Sequence, residues 1–211
     1  MLPVGAYSYS QGLEWAIESG EVHDAATAKS RIHDVLLLYL AHYELPILAR
    51  LYAAWKAQDV NAVSTWDTYF QAGRDSSEAL AETRQMGYSM GRLLNDLDDL
   101  PSEFLQTINT LVTPAFPTLY AGVSQLWKIK EQEMLHAYAW SWVENQVSAA
   151  MKTVPLGQVA GQKIMLALGN ELPNLVSEAL NLHDDEISNF MPGLSIAASL
   201  HATQYSRLFR S

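Results

Sequence analysis

Six histidines, His23, His33, His42, His136, His183 and His201, are the residues of this sequence best suited to hold a metal or move a proton. No two stand three or four positions apart, so no helical face presents a histidine pair, and the HExxH arrangement is absent. The densest cluster is His183-Asp184-Asp185-Glu186, where hard oxygen ligands follow an imidazole. A metal site draws converging ligands from several elements. A run of acids also describes a helix start whose charges complement the backbone dipole, and that reading is preferred. Its alternative is a metal-binding carrier, or a metal-dependent helical enzyme, using His183 and the nearby acids. His42 with Glu44 is a weaker candidate. Asp96, Asp98 and Asp99 precede Pro101 in an expected loop, where nothing buries a carboxyl to tune it for acid–base work. The segment from Gly157 to Ile164 has the outline of a P-loop but fails on spacing. Gln162 stands where glycine should precede the lysine, and Ile164 lacks a hydroxyl for magnesium. No GxSxG elbow occurs. The absence of cysteine excludes disulfides, thiolate catalysis, Cys-ligated zinc and iron–sulfur clusters. These residues point to an interaction module rather than an enzyme.

The elements that position them centre on the stretch from Met151 to Gln162. Pro155 lacks an N–H, so one helix is expected to end near Val154 and another to begin at Pro155. Gly157 and Gly161 then share a face open to a close backbone, beside the Gln158 and Gln162 pair. Earlier in the chain, Ser8 or Ser10 caps a helix through Glu18 that Gly20 closes. Asp24 caps a helix with Ile32, Val35, Leu36, Tyr39 and Leu40 at helical spacing; after Pro46 the chain either kinks and continues or starts a new helix. Asp59 or Asn61 caps the next, with Val63, Trp66 and Phe70, up to Gly73. Asp75-Ser76-Ser77-Glu78 has the residue types of a capping box and opens a helix to about Leu97, in which Gly87 and Gly91 repeat the small-residue spacing. Helices follow over 101–112, 117–128, 132–154 and 156–182, with Pro173 bending or splitting the last. A final helix follows Pro192-Gly193. Alternating strand patterns, hairpin turns, repeats and low-complexity linkers are absent. The expectation is an all-α, single-domain bundle of about ten helices over residues 1–211.

Composition narrows the partners. Of the 211 residues, 49% are hydrophobic and only 17% charged, below the roughly 25% usual for a soluble domain. That favours a face covered by a partner or a second copy. A net charge of −10 opposes binding to nucleic acid or anionic lipid. The longest apolar run, Val35 to Ala41, is too short to span a bilayer, and the N-terminus lacks a signal-peptide pattern. The tail Gln204-Tyr205-Ser206-Arg207-Leu208-Phe209-Arg210 has the composition of an interface anchor and equally of a frayed end.

Several blocks together resemble the UreF family of urease accessory proteins. They are Leu2 to Glu14, Leu45-Pro46, Ala49 to Tyr52, Arg84 to Gly87 through Arg92-Leu93-Leu94, and Trp142 to Gln146. Lys152 to Gln158 with Gly161-Gln162, and the tail from His201 through Gln204 to Ser211, complete the set in the family's order. The resemblance implies an all-helical cytoplasmic protein, often a homodimer, without enzymatic activity or cofactor. It implies assembly with UreD (UreH in some species) and the GTPase UreG on apo-urease, and help in carrying nickel to a site whose lysine is carbamylated. Recruiting UreG and gating its GTP hydrolysis is the implied role. By the same resemblance Lys152, Pro155, Gly157 and Gln158 lie at or behind the surface that docks the GTPase. Tyr7, Ser8, Gln11 and Glu14 shape a partner face, and Arg207, Phe209 and Arg210 order against UreD. Helix-joint geometry explains Pro155 and the two glycines equally well. Family members usually carry about twenty further residues before Leu2, so an N-terminal arm is expected to be missing.

Overall fold

The computed structural model describes residues 4–210. Among them every regular element is helical. Residues 4–6 and 47–134 form one compact unit, and residues 7–46 and 135–210 form another.

In the unit around residues 47–134, helix α4 (Val60–Ala72) starts at Asp59, whose carboxylate accepts the Ala62 N–H at 3.0 Å. Helix α5 (Ser77–Asn95) is capped by the Ser76 hydroxyl, which accepts the Ala79 N–H at 3.0 Å. The cap falls on Ser76 rather than on Asp75, because the extended backbone sits one residue later and puts alanine at the third helical position. Helix α6 (Ser102–Thr110) leads to α7 (Phe116–Leu126), which packs along α5. Gly87 is the reason α5 and α7 come so close. A methyl group there would lie 2.0 Å from the Pro114 carbonyl oxygen. Trp55 lies against Gly122 and donates its indole N–H to the Thr118 carbonyl at 2.9 Å. The buried Asp67 accepts from the Ala115 N–H at 2.8 Å, the Thr118 hydroxyl and the Gln71 amide, tying α4 to the start of α7.

In the unit around residues 7–46 and 135–210, α1 (Leu13–Glu18) begins later than expected. Ala6–Ser8 is a 3₁₀ turn, and neither Ser8 nor Ser10 is the capping residue. Gly12 holds that position with φ +79°, and a methyl on it would meet Ala197 Cβ at 3.1 Å. Ser10 still contributes, its hydroxyl lying 3.4 Å from the Glu14 N–H. Helix α2 (Ala25–Val35) opens on a reciprocal box between Asp24 and Thr27.

After α2 the helix does not break at Pro46. It widens into a π-helical stretch, Leu36–Glu44, and returns to α geometry as α3 (Leu45–Lys56). The Leu45 N–H bonds to the Leu40 carbonyl, five residues back. Pro46 has no N–H to offer the His42 carbonyl, and the Ser188 N–H takes that place at 3.1 Å. The whole span Ala25–Lys56 is long and apolar enough to cross a membrane by length and composition, but 72% of its most apolar window is buried inside the molecule. It is a core helix.

Helix α8 (Glu131–Thr153) is followed by a link over 154–157, then by α9 (Gln158–Gly169) and α10 (Leu172–Asn181), which Pro173 splits from α9. The second helix of the joint therefore starts at Gln158, not at Pro155. Gly157 caps it with open space where a side chain would be, so only Gly161 is a packing position. What comes near Gly161 is the Met151 side chain rather than another backbone. A 3₁₀ turn (Asp184–Glu186) and α11 (Pro192–His201) complete the chain.

Candidate partner-binding site around Glu14

Glu14 is a buried acid in the first turn of α1, and α1 packs on α11. Its carboxylate is buried, and three donors from the far end of the chain replace its lost water. Oε2 lies 3.1 Å from His201 Nε2 and accepts the Phe209 N–H at 3.0 Å, while Oε1 accepts the Leu208 N–H at 2.6 Å. A carboxylate held by several donors in low dielectric is a strong anchor. His201, fully buried at the end of α11, sets the distance at which the tail begins.

The tail then continues along the N-terminal segment. The Arg210 N–H donates to the Ser8 carbonyl at 2.8 Å. Phe209 is buried, and Lys152 Nζ stands 5.6 Å from the centre of its ring. On the same segment, Gln11 adopts φ +53°, a conformation few side chains tolerate. Its amide oxygen accepts the Trp142 indole N–H at 2.7 Å. Asn145, one turn along α8, donates to the Tyr9 carbonyl at 3.1 Å.

The structure thus gathers Ser8, Gln11, Glu14, Lys152, Phe209 and Arg210 into one network. Tyr7, Lys152, Arg207 and Arg210 have exposed side chains at its edge. Pro155, Gly157 and Gln158 are exposed in the link and first turn beyond Lys152 and take no part in the bonds to Glu14. Leu2 and Pro3 of the N-terminal block, and Ser211 of the tail, lie outside the described residues. Sequence reasoning passed over His201, Trp142 and Asn145 as site residues. The signal was there: a buried acid needs buried donors, which a downstream histidine can supply, and an indole with an asparagine at i+3 can bond to one neighbouring segment.

Elsewhere, His183 and Glu186 form a local cap, the Glu186 carboxylate accepting the His183 N–H at 2.8 Å. Among the described residues no three His, Asp or Glu side chains are grouped to hold a metal ion.

A family model for UreF matches residues 22–169. The urease accessory protein UreF of Methylobacillus flagellatus is 59% identical over 211 residues, covering 100% of this chain and 93% of the relative. The chain belongs to the UreF family. Urease accessory proteins UreF of Azoarcus sp. and Dechloromonas aromatica are 52% and 47% identical, each over 100% of this chain and 91% and 92% of the relative. Within this UreF-family chain the family model stops short of both Glu14 and the tail, whereas the relatives align across them. The relatives are named as accessory proteins to urease rather than as urease.

Proposed function

We propose that this chain is a non-catalytic component of urease maturation. It assembles with UreD (UreH) and the GTPase UreG on apo-urease, recruits UreG and gates its GTP hydrolysis while nickel, the cargo, is delivered. It works in the cytoplasm as a homodimer. Family membership supports the pathway. The single observation that carries the site is Glu14, which joins the N-terminal segment to the tail, where Tyr7, Arg207 and Arg210 are exposed, as is Lys152 beside Phe209. Aromatic and arginine side chains on a fixed backbone are the usual anchors of an interface. On this reading Arg207, Phe209 and Arg210 serve UreD, and the surface near Lys152, Pro155, Gly157 and Gln158 serves UreG.

Size-exclusion chromatography with light scattering tests it. The chain is mixed with UreD and UreG, with GTP and magnesium, alongside a form lacking Arg207 to Ser211 and a Glu14→Ala variant. A ternary complex that forms with the intact chain and weakens with both altered forms supports the reading. Separate elution of the intact chain at micromolar concentration sinks it.

A further inference from the structure

We propose that Arg31 and the first turn of α11 form a binding site for a small oxyanion of the phosphate or sulfate type. Arg31 is 9% exposed, and its Nη2 has no hydrogen-bond partner. Its nearest carboxylate, Glu21, stands 3.8 Å from Nη1 on a side chain that is 60% exposed, too far for a hydrogen bond. A buried guanidinium left in this state lacks compensation for its lost hydration. What lies beside it makes matters worse. A methyl placed on Gly193, in the first turn of α11, would sit 4.0 Å from Arg31 Nη1. The start of a ten-residue helix carries partial positive charge, which repels a cation and attracts an anion.

The same turn has amides to offer. Met191, at the capping position, supplies no side-chain oxygen, and Pro192 has no N–H. The Leu194 and Ser195 N–H groups turn back to the Met191 carbonyl, which leaves that of Gly193. Guanidinium and amide together match an oxygen of a tetrahedral anion. The burial of Arg31 selects a small ligand over a protein surface, because a bulky group cannot reach a guanidinium so little exposed. The site is independent of the assembly proposed above and is tested on the isolated chain.

Inorganic phosphate is titrated into the chain and followed by calorimetry and by ³¹P NMR line broadening. Ionic strength is matched with chloride, because sulfate and phosphate stabilise proteins non-specifically. The wild-type chain is expected to bind saturably, and Arg31→Gln to bind on the order of tenfold more weakly. Glu21→Gln, on an exposed side chain, removes the competing carboxylate and tightens binding about twofold to fivefold. If Arg31→Gln fails to fold, the wild-type titration and Glu21→Gln decide. Absence of saturation, equal binding by a folded Arg31→Gln variant, or unchanged or weaker binding by Glu21→Gln overturns the proposal. Sulfate competing with phosphate while acetate does not confirms the tetrahedral class; acetate competing equally overturns it.

Discussion

A carboxylate removed from water is stable only where donors replace its hydration, and Glu14 has three of them. Glu14→Ala strands the His201 imidazole and two tail amides in a dry site. The expected loss is on the order of 3 kcal/mol, read from the denaturant midpoint. Hydrogen exchange at Leu208 and Phe209 should accelerate by more than the global loss of stability explains; protection that falls only in step with it would contradict the anchor. Glu131 is the opposite case. Burial raises its carboxyl above the ordinary range, and Lys56 and Arg50 only partly offset this. A raised folded value means a contribution that is fully present below the unfolded value, about pH 4, and is lost as pH rises through the folded one. Glu131→Gln is therefore expected to be at least as stable as wild type near pH 7, with the difference vanishing in acid. A Glu131→Gln chain that is less stable only at neutral pH would show that the pairing with Lys56 and Arg50 outweighs desolvation.

Helices are set by what meets their small residues and by where their carbonyls go. Gly87→Ala drives a methyl into the Pro114 carbonyl, which is backbone and has little room to retreat. The expected cost is about 3 kcal/mol in urea unfolding; a cost near that of an exposed Gly→Ala change would mean that α7 shifts freely. Pro46 is subtler. Pro46→Ala restores an N–H four residues after His42, so the His42 carbonyl gains a local donor in competition with Ser188. Exchange of the Ser188 amide should quicken while the helix content stays constant, as measured by hydrogen exchange and circular dichroism. This is also where sequence reading met its limit. Apolar spacing and capping residues located nearly every helix, including the starts at Asp59 and Asp24 and the split at Pro173. A rule that breaks helices at proline had no means of seeing that a donor 142 residues further on would repair the ladder. The start at Gln158 was hidden for the related reason that Pro155 fits an extended link as well as a first helical position.

Across the whole molecule, a low charged fraction and a net charge of −10 leave acidity as the main defence against association. With a sequence pI near 4.9, solubility should pass through a minimum close to that pH. Turbidity measured from pH 4 to 6 at low salt checks this, and a flat profile would mean that charge is not what keeps the chains apart. The candidate site was legible in parts at this scale but not as a unit. Glu14, Lys152 and Phe209 were each marked by resemblance, yet the bonds that join Glu14 to the tail link residues 187 to 195 positions apart. Local pattern carries no information over such a separation. Helix packing supplies it, through α1 against α11.

Glu14 grips the tail by main-chain amides, which nineteen of the twenty amino acids carry alike. It therefore works as a ruler: it registers how many residues follow His201, not which ones. The Leu208 side chain is exposed, so that position is gripped through its backbone whatever side chain it carries. A residue added to or removed from that span, or a proline placed in it, throws the whole tail out of register.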